Sequence, residues 1–378
     1  MAAAKAGKQP MRFRRRQCLV CYWFDGFFVA HAYPDREPLT LAPFSVEILA
    51  AFESWTDPEV AAQANPLFLG AVDSLHEAGL LLAEGTDEAA RDEAIASHWG
   101  SWVPEASFFH YATTAVAYPQ SEAVPASNPE LSTLPPTHTL FTEYPAANRM
   151  FLPRRPVRFD ISFEQVLFER RTCRDFTDAP IALNTFAALL ATVFGPVDYI
   201  NSGTSALFRR TSAAGGSRQE LDAYVGVRAV EDVPAGFYHY NVREHSLELL
   251  GEGLTSRQIT DLCAGQEWAG GMAFFVVLVA MIDRMRSKYA IPRVYRASLI
   301  NAGHLGQTFA MTATALGLGP FQTAICDDLA LCEAFTLDGI GQLPLYLLGA
   351  GHPSPAPSLS PPVAELDTMR RTTLTFEP

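Results

Sequence analysis

Positive charge is concentrated in one short stretch of the sequence. Arg170, Arg171 and Arg174 lie within five residues, and Thr172 places a hydroxyl among them. Guanidinium groups bind phosphate oxygens through paired hydrogen bonds and stay protonated at physiological pH, so this pattern is typical of an anion site. Surface ion pairs would explain the same spacing equally well. Three carboxylates lie close enough in sequence to form them: Glu169, Asp175 and Asp178.

The charge of the whole chain restricts what such a site can bind. The 378 residues carry a net charge of −13, and the pI is near 5.2. Nucleic acids and anionic membranes attract clustered Lys and Arg, so we expect neither as a partner.

Cys18 and Cys21 form a C-x2-C pair, but no second pair follows at zinc-ribbon spacing, and we predict strand residues without a metal. Scattered cysteines are typical of the reducing cytoplasm, where we expect the protein to reside.

The elements that must position the site fall into three predicted regions. Residues 1–90 are predicted to form a small module, and residues 157–378 a larger domain. Residues 91–156 connect the two and become rich in proline, serine and threonine, as linkers are. Within that segment, the aromatic and histidine residues at 98–112 favour amphipathic packing over a metal site.

The small module begins with two predicted strands, 19–24 and 27–32, around an Asp-Gly turn. Three helices follow: Ser45 caps the first, the second begins after Asp57, and Gly79 ends the third. Three helices before a short strand indicate a winged-helix-like module. Its third helix carries acidic residues and a histidine instead of basic residues, which argues against DNA.

The larger domain is predicted to alternate helices and strands. Ser162 and Gln165 have capping-box spacing, so a helix leads directly into the arginine cluster. Asn184 caps a second predicted helix, and the apolar run at 272–282 predicts a buried strand. A long helix at 298–316 carries small residues on several faces. Small residues allow another helix to approach closely, which makes this helix a candidate for a dimer or domain core.

Five stretches of the larger domain occur in an order that resembles the SagB/ThcOx-type dehydrogenases of the nitroreductase superfamily. They are RRTSAAGGSRQELDAYV at 209–225, GFYHYNVREHSLELL at 236–250, RMRSKYAIPRVYR at 284–296, INAGHLGQTFAMTATALGLGP at 300–320 and ICDD at 325–328. The resemblance covers residues 157–352, and the preceding module also looks like what precedes the catalytic domain in that family. It implies an α+β nitroreductase-like flavoprotein fold, with a mainly antiparallel central sheet and flanking helices, that forms a homodimer.

The resemblance implies FMN as the cofactor. In the family, an R-R-S-x-R element binds the FMN phosphate, and here threonine replaces its serine. The implied phosphate ligands are Arg170, Arg171, Thr172 and Arg174. A basic residue near the end of the chain, Arg371 or Arg370, is the candidate for a further phosphate contact.

Three more stretches are implied to contact the flavin. The family's P-S-G-G element approaches the ring edge, and its glycines permit close approach of the backbone. Here it falls on Ala213, Ala214, Gly215 and Gly216, so the Pro-Ser pair is replaced. Ala324 and Ile325 fall on the family's G-G-F-D-D loop, whose backbone amide faces flavin N5. Gln307 falls in the family's G-H-x-x-Q-N helix, where Thr308 replaces the asparagine.

Lys288 and Tyr289 match the Lys-Tyr pair that azoline-oxidising members of the family use in catalysis. Oxidation of an azoline to an azole removes a hydride and a proton, and the proton needs a base. A lysine beside apolar walls can have its pKa lowered toward neutrality, and a tyrosine can relay or orient the proton. Without the surrounding motifs, the same pair would be a solvated lysine at a helix end beside a packing tyrosine.

The resemblance therefore implies an FMN-dependent dehydrogenase of a ribosomally synthesised precursor peptide. Its expected partners are that peptide, a maturation enzyme that acts with it and a second copy of the chain. The module at 1–90 is then implied to bind the leader peptide or the partner protein, for which strand addition to an exposed edge would suffice. Two alternatives stay open. One is an FMN-dependent reductase that uses NAD(P)H on nitro, quinone or dehydroamino acid substrates. The other is a flavin-free scaffold for a precursor peptide, which the replaced Pro-Ser and Gly-Gly pairs keep open.

Overall fold

The structure is a computed structural model that describes residues 11–114, 139–154, 158–201, 206–289 and 291–355. These residues fall into two compact units, one before residue 115 and one after residue 138. The predicted phosphate contact by Arg371 or Arg370 lies outside the described residues. Within the described ranges, no helix has both the length and the apolarity that crossing a bilayer requires.

The first unit combines two small antiparallel sheets with short helices. Its described strands are β1 (Phe13–Arg15), β2 (Leu19–Phe24), β3 (Phe27–Ala32), β4 (Leu39–Thr40) and β5 (Leu81–Ala83). Its described helices are α1 (Ser45–Ala51), α2 (Pro58–Ala62), α3 (Leu67–Glu77), α4 (Asp87–Trp99) and α5 (Glu105–Ala112). Strand β1 pairs with β5, and β2, β3 and β4 form a separate sheet in that order. The predicted order of hairpin, three helices and strand is confirmed, while the winged-helix likeness stays a prediction.

Short-range signals set several of these boundaries. Strands β2 and β3 meet at Asp25-Gly26, whose φ angles of +48° and +80° are those of a tight two-residue hairpin turn. Asp57 caps α2 by accepting a hydrogen bond from the Glu59 N–H. Gly79 follows α3 with a φ of +74°, the left-handed conformation that commonly ends a helix.

The predicted cap at Ser45 is wrong. Phe44 occupies the N-cap position of α1, and Ser45 is the first helical residue. The reason is that the chain is already turning before this point: the Ser45 N–H donates to the Ala42 carbonyl, and the Val46 N–H donates to the Pro43 carbonyl.

The second unit is built around a seven-stranded sheet. Its described strands are β6 (Arg149–Phe151), β7 (Asp198–Asn201), β8 (Ala206–Arg209), β9 (Leu221–Val227), β10 (Gly236–Asn241), β11 (Ser246–Glu252), β12 (Phe274–Met281), β13 (Gly319–Thr323) and β14 (Gln342–Gly351). Its described helices are α6 (Phe163–Glu169), α7 (Leu183–Phe194), α8 (Ser256–Leu262), α9 (Ile282–Arg286), α10 (Val294–Ala315) and α11 (Asp328–Phe335). The sheet order is β13-β14-β12-β9-β10-β11-β6, and every neighbouring pair is antiparallel.

Helices cover both faces of this sheet. Because side chains alternate along a strand, β12 contributes to a core on each face. Phe274 and Val276 pack into the core that contains α7 and α10. Phe275 and Val277 pack into the opposite core, which contains α8 and α11. The predicted buried strand and the α+β fold are confirmed.

Three boundaries differ from prediction in the second unit. The cap at Asn184 is wrong: α7 starts at Leu183, because Ile181 is held by backbone hydrogen bonds to Ala229 and Glu231 and the chain turns directly after it. Helix α10 begins four residues earlier than predicted, at Val294. Part of the connecting segment belongs to the sheet, since β6 pairs with β11 at its edge. The Ser162 cap is confirmed, with its hydroxyl accepting from the Gln165 N–H.

Candidate functional site

The arginine cluster follows α6 and is fixed against β13. Arg170 leaves the helical conformation as the C-cap of α6. The Cys173 N–H donates to the Pro320 carbonyl at 2.7 Å, which holds the middle of the cluster beside β13. A glycine is required at the contact, because a Cβ atom on Gly319 would lie 2.6 Å from the Cβ atom of Cys173.

The carboxylates near the cluster do not neutralise it. Glu169 accepts a hydrogen bond from Gln165, one turn earlier on α6. Asp178 pairs with Arg228 instead of with an arginine of the cluster. In the described ranges, no arginine of the cluster forms an ion pair with a carboxylate. The surface ion pairs that the spacing allowed are therefore not formed there.

The guanidinium groups of the cluster contact backbone and aromatic atoms instead. Arg171 Nη1 donates to the carbonyls of Phe168 and Arg170 at 2.6 and 2.8 Å. The guanidinium carbon of Arg174 lies 5.8 Å from the centroid of the Trp268 ring. These neutral contacts orient the side chains and leave their positive charge uncompensated, as an anion site requires.

Helix α10 holds the loop at 213–216 by side-chain hydrogen bonds. His304 Nδ1 lies 3.1 Å from the Ala213 carbonyl oxygen. Asn301 Oδ1 accepts from the Gly215 N–H at 3.1 Å, and Asn301 Nδ2 donates to Glu220 at 2.8 Å. Because Asn301 and Glu220 are both buried, the Asn301 amide has a single available orientation. The loop predicted to meet the flavin ring is thus positioned by the long helix.

The predicted catalytic tyrosine contacts the same loop. Gly216 has a φ of +68°, and a Cβ atom built on it would lie 2.3 Å from Tyr289 Oη. Lys288 Nζ lies 5.1 Å from the centroid of the Tyr289 ring. Lys288 and Tyr289 are both half-buried. The structure therefore brings the predicted catalytic pair to the predicted ring-edge loop.

A buried arginine fixes the helix that presents this pair. Arg284 lies in α9, and its guanidinium donates to both carboxylate oxygens of Asp222, at 2.6 and 2.9 Å. It also donates to Gln219 O, Thr139 O and Thr142 Oγ1, so every one of its nitrogens is bonded. Burial alone would raise the pKa of Asp222, but the Arg284 charge and hydrogen bonds lower it. Asp222 therefore stays ionised and the pair stays closed near neutral pH.

The turn at 323–325 is held by a glutamine from the segment that follows α8. Gln266 Nε2 lies 2.8 Å from the Ile325 carbonyl oxygen and 3.2 Å from Thr323 Oγ1. Thr323 Oγ1 in turn accepts from the Ile325 N–H at 3.0 Å. The Ile325 amide is therefore used inside the turn. Within the described structure, the Ala324 N–H forms no hydrogen bond, and Ala324 is exposed.

The remaining predicted residue of the helix, Gln307, is exposed on α10. The carbonyl oxygen of its neighbour Gly306 accepts a hydrogen bond from Gln322 Nε2 at 2.7 Å. This bond ties α10 to β13 just before the 323–325 turn, so the same part of α10 anchors both loops. Gln322 is oriented by Tyr346, whose hydroxyl donates to its amide oxygen at 2.9 Å.

Sequence reasoning missed the residues that hold these loops: Asn301, Glu220, Gln266, Gln322 and Asp222. Each acts on a segment distant in sequence, so its partner is visible only once the sheet is assembled. One thiol near the turn, Cys326, has its pKa raised to about 12, first by burial and then by Cys263 and Asp328. It is protonated at neutral pH, which excludes it as a thiolate nucleophile.

The first unit offers a separate surface that suits a peptide. Strand β2 is an edge of its sheet. The hairpin pairing directs the N–H and C=O groups of Cys21 and Trp23 away from β3, and they have no backbone partner in the described ranges. Trp23, Phe24 and Phe27 at the hairpin tip are 57–70% exposed. A groove of about 980 Å³ lies between the hairpin and α1 and is lined by apolar and charged residues, Arg15 and Glu53 among them.

Comparison with known proteins gives three consistent similarities. A sequence profile described as "Nitroreductase family" matches residues 167–352. The chain is 25% identical over 296 residues to the trifolitoxin operon protein TfxC of Rhizobium leguminosarum bv. trifolii, which covers 75% of this chain and 81% of TfxC. It is 26% identical over 163 residues to the trifolitoxin-processing protein TfxB of the same organism, covering 42% of this chain and 44% of TfxB.

The fold also resembles a solved structure. A crystal structure of an Anabaena variabilis protein assigned as a nitroreductase superposes with a TM-score of 0.52 at 19% identity. The superposition covers 66% of this chain and 47% of that one. At this identity the likeness concerns the fold alone.

Proposed function

Residues 167–352 form a nitroreductase-family domain, and we propose that the protein is an FMN-dependent dehydrogenase of a ribosomally synthesised precursor peptide. One observation carries the cofactor: Arg170, Arg171 and Arg174 have no carboxylate partner in the described ranges. Similarity to two trifolitoxin proteins, one of them named for processing, supports a peptide substrate.

The arginine cluster fits the phosphate of FMN. A phosphate dianion needs several donors with uncompensated positive charge, and the cluster offers guanidinium groups together with the exposed hydroxyl of Thr172. Neutral contacts to backbone carbonyls and to the Trp268 ring hold two of the guanidinium groups in place before any anion binds. Binding then requires little reordering of these side chains.

Two loops fit the ring of the cofactor. We assign the ring edge to the 213–216 loop, whose backbone is anchored on α10 by Asn301 and His304. We assign the Ala324 N–H as the hydrogen-bond donor to flavin N5, because the Ile325 N–H already donates to Thr323 Oγ1. The choice between Ala324 and Ile325, which the family motif leaves open, thus follows from the hydrogen bonds of the turn.

The proposed reaction oxidises an azoline ring to an azole or carries out a related peptide dehydrogenation. FMN, when bound, supplies the acceptor for two electrons and one proton as a hydride. Lys288 Nζ takes the second proton from the neighbouring carbon, and Tyr289 orients the lysine from beneath it. Arg284 and Asp222 act as positioning residues, since their buried pair fixes α9 directly before Lys288.

We propose that the first unit recruits the precursor peptide or a partner maturation enzyme. An extended peptide can add to the open edge of β2 through main-chain hydrogen bonds, with apolar side chains against Trp23, Phe24 and Phe27. Arg15, which has no carboxylate partner in the described ranges, and Glu53 both line the adjacent groove, so the groove offers a charge of each sign to a bound peptide.

We propose a homodimer as the functional assembly. Helix α6 packs against α10, and each carries exposed apolar side chains: Phe163, Leu167, Leu299 and Ile300. Apolar side chains that are more than two-fifths exposed on adjacent helices are typical of a covered interface. A second copy of the chain would cover them.

The proposal is tested first by the visible spectrum of the purified protein. We expect the absorption of oxidised flavin, and release of FMN at about one per chain on denaturation. A colourless protein that stays colourless after FMN is added would refute any flavin chemistry. For a coloured protein, anaerobic mixing separates the two directions of electron flow: bleaching by an azoline peptide supports the dehydrogenase, and bleaching by NAD(P)H alone supports a reductase.

A further inference from the structure

A small apolar pocket lies beside the proposed catalytic tyrosine. Its volume is about 110 Å³, and it is formed between α9 and the first turns of α10. Its lining is mostly hydrocarbon, from Ile282, Met285, Tyr289, Ile291, Pro292 and Val294, and it is completed by Ser298, Tyr295 and Arg286. It belongs neither to the arginine cluster nor to the loops at 213–216 and 323–325.

The Tyr289 ring is shared between this pocket and the proposed reaction centre. The ring forms one wall of the pocket, while its hydroxyl reaches the backbone at Gly216. A group bound in the pocket is therefore separated from the proposed site of proton transfer by no more than the Tyr289 side chain. The floor is rigid, because Met285 and Ser298 are 3% and 1% exposed.

We propose that this pocket is a subsite for a branched aliphatic side chain of the substrate peptide, one or two residues from the residue that is oxidised. The proposal rests on the dehydrogenase function proposed above and adds a sequence preference to it. A cavity of about 150 Å³ is large enough for benzene, so 110 Å³ suits the four carbons of a leucine side chain better than an aromatic ring. A charged side chain would lose its hydration against this mostly apolar lining, and Arg286, the charged residue in the lining, already pairs with Asp283 at 3.4 Å.

The test uses four synthetic peptides, Ac-X-thiazoline-Gly-NH2, in which X is Gly, Ala, Leu or Phe. Turnover of the FMN-loaded full-length protein, with dichlorophenolindophenol added as the electron acceptor that reoxidises the flavin, gives kcat and KM for each, and anaerobic bleaching shows whether each peptide reduces the flavin. We expect the Leu peptide to have a KM roughly tenfold to hundredfold below that of the Gly peptide, from burial of one aliphatic side chain. Val294→Phe fills the pocket and should abolish this difference. Val294→Ala enlarges it and should shift the preference toward Phe.

Ile340→Phe is the matched control, because it adds the same ring at a side chain that is 83% exposed and outside the pocket. Equal KM values for all four peptides in the wild type would overturn the subsite. The same result is expected if a second copy of the chain fills the pocket, so that case is refuting as well. Bleaching by none of them would overturn the dehydrogenase proposal instead. The subsite is then tested by saturation-transfer NMR. The methyl groups of N-acetyl-leucine methylamide should receive saturation from the wild type and not from Val294→Phe, and absence of saturation with the wild type refutes the subsite.

Discussion

Gly216→Ala should impair catalysis without removing the cofactor. The new Cβ atom would lie 2.3 Å from Tyr289 Oη, whereas ordinary contacts begin near 3.4 Å. The tyrosine hydroxyl must therefore retreat by about 1 Å. Displacement of a catalytic group by about 1 Å can reduce turnover roughly 100-fold. The φ of +68° adds strain of about 1–2 kcal/mol for a residue with a side chain.

The assay compares three properties of the variant with those of the wild type. We expect kcat on the thiazoline peptides to fall roughly 100-fold. The melting temperature should fall by about 2–8 °C, the shift that 1–2 kcal/mol produces in a domain of this size. Bound FMN per chain should not change, because the substitution leaves the arginine cluster that we propose as the phosphate site unaltered. Gly253→Ala is the control, since its φ of +77° imposes the same backbone strain while its Cβ atom would have no neighbour within 4 Å.

A double-mutant cycle isolates the proposed cause. In a Tyr289→Phe background the 2.3 Å contact is gone and only ring-carbon contacts at 3.2 Å remain, so Gly216→Ala should cost mainly the strain of its backbone and little further turnover. Additive losses in kcat would refute the reasoning, because they would show that the glycine acts independently of the tyrosine. Unchanged turnover in Gly216→Ala alone would refute the catalytic position of Tyr289 itself.

Four further changes test other parts of the structure. Arg170→Ala should weaken FMN binding about tenfold to hundredfold in a fluorescence titration, from loss of one charge-assisted hydrogen bond, while Arg158→Ala should not. Lys288→Ala should retain FMN and slow flavin reduction in the bleaching assay by at least about 100-fold, and an unchanged rate would exclude it as the base. Gln266→Leu should slow flavin reduction by the peptide about tenfold in stopped-flow, with FMN affinity preserved, because the turn at 323–325 loses its clamp. Burial opposes ionisation of Glu248, but hydrogen bonds from His239 and Asn241 lower its pKa to about 2. Its stabilisation is complete above its ordinary value of 4.5 and is lost as pH falls toward 2, so urea unfolding of Glu248→Gln should depend less on pH in that window.

Local signals predicted the elements that depend on few residues. The Asp25-Gly26 hairpin turn needs only two residues in the left-handed conformation, and Gly79 alone ends a helix. The run of β12 is apolar throughout, so its sequence does not fit an element with one polar face. Caps were less predictable, because a suitable side chain is not sufficient. Asn184 has a side chain that could cap α7. Backbone hydrogen bonds hold Ile181 in an extended conformation, however, and so determine where the extended chain ends and the helix begins. That constraint comes from a strand-like bridge elsewhere in the fold.

The candidate site was predictable as a set of segments and not as a set of contacts. Motif order placed the arginine cluster, the 213–216 loop, Lys288-Tyr289 and the 323–325 turn in one domain. It could not say that Gln266 holds the turn, because that contact joins residues more than fifty positions apart. It also could not choose between Ala324 and Ile325, since the choice depends on the orientation of the Thr323 hydroxyl.

The replaced Pro-Ser pair is the main sequence argument for a scaffold without flavin, and the structure answers it energetically. A proline restricts the unfolded chain and so stabilises a compatible loop by about 0.4–1 kcal/mol, which Ala213 forgoes. Three side-chain hydrogen bonds hold the loop in this chain: His304 to Ala213, Asn301 to Gly215, and Ser212 to Thr308 at 2.6 Å. Each contributes about 0.5–1.5 kcal/mol, so together they offset the loss. The threonine that replaces the family's asparagine on α10 is one of these anchors, so the two departures from the motif compensate each other. Loss of the Pro-Ser pair is therefore no reason to expect a loop unable to hold a flavin.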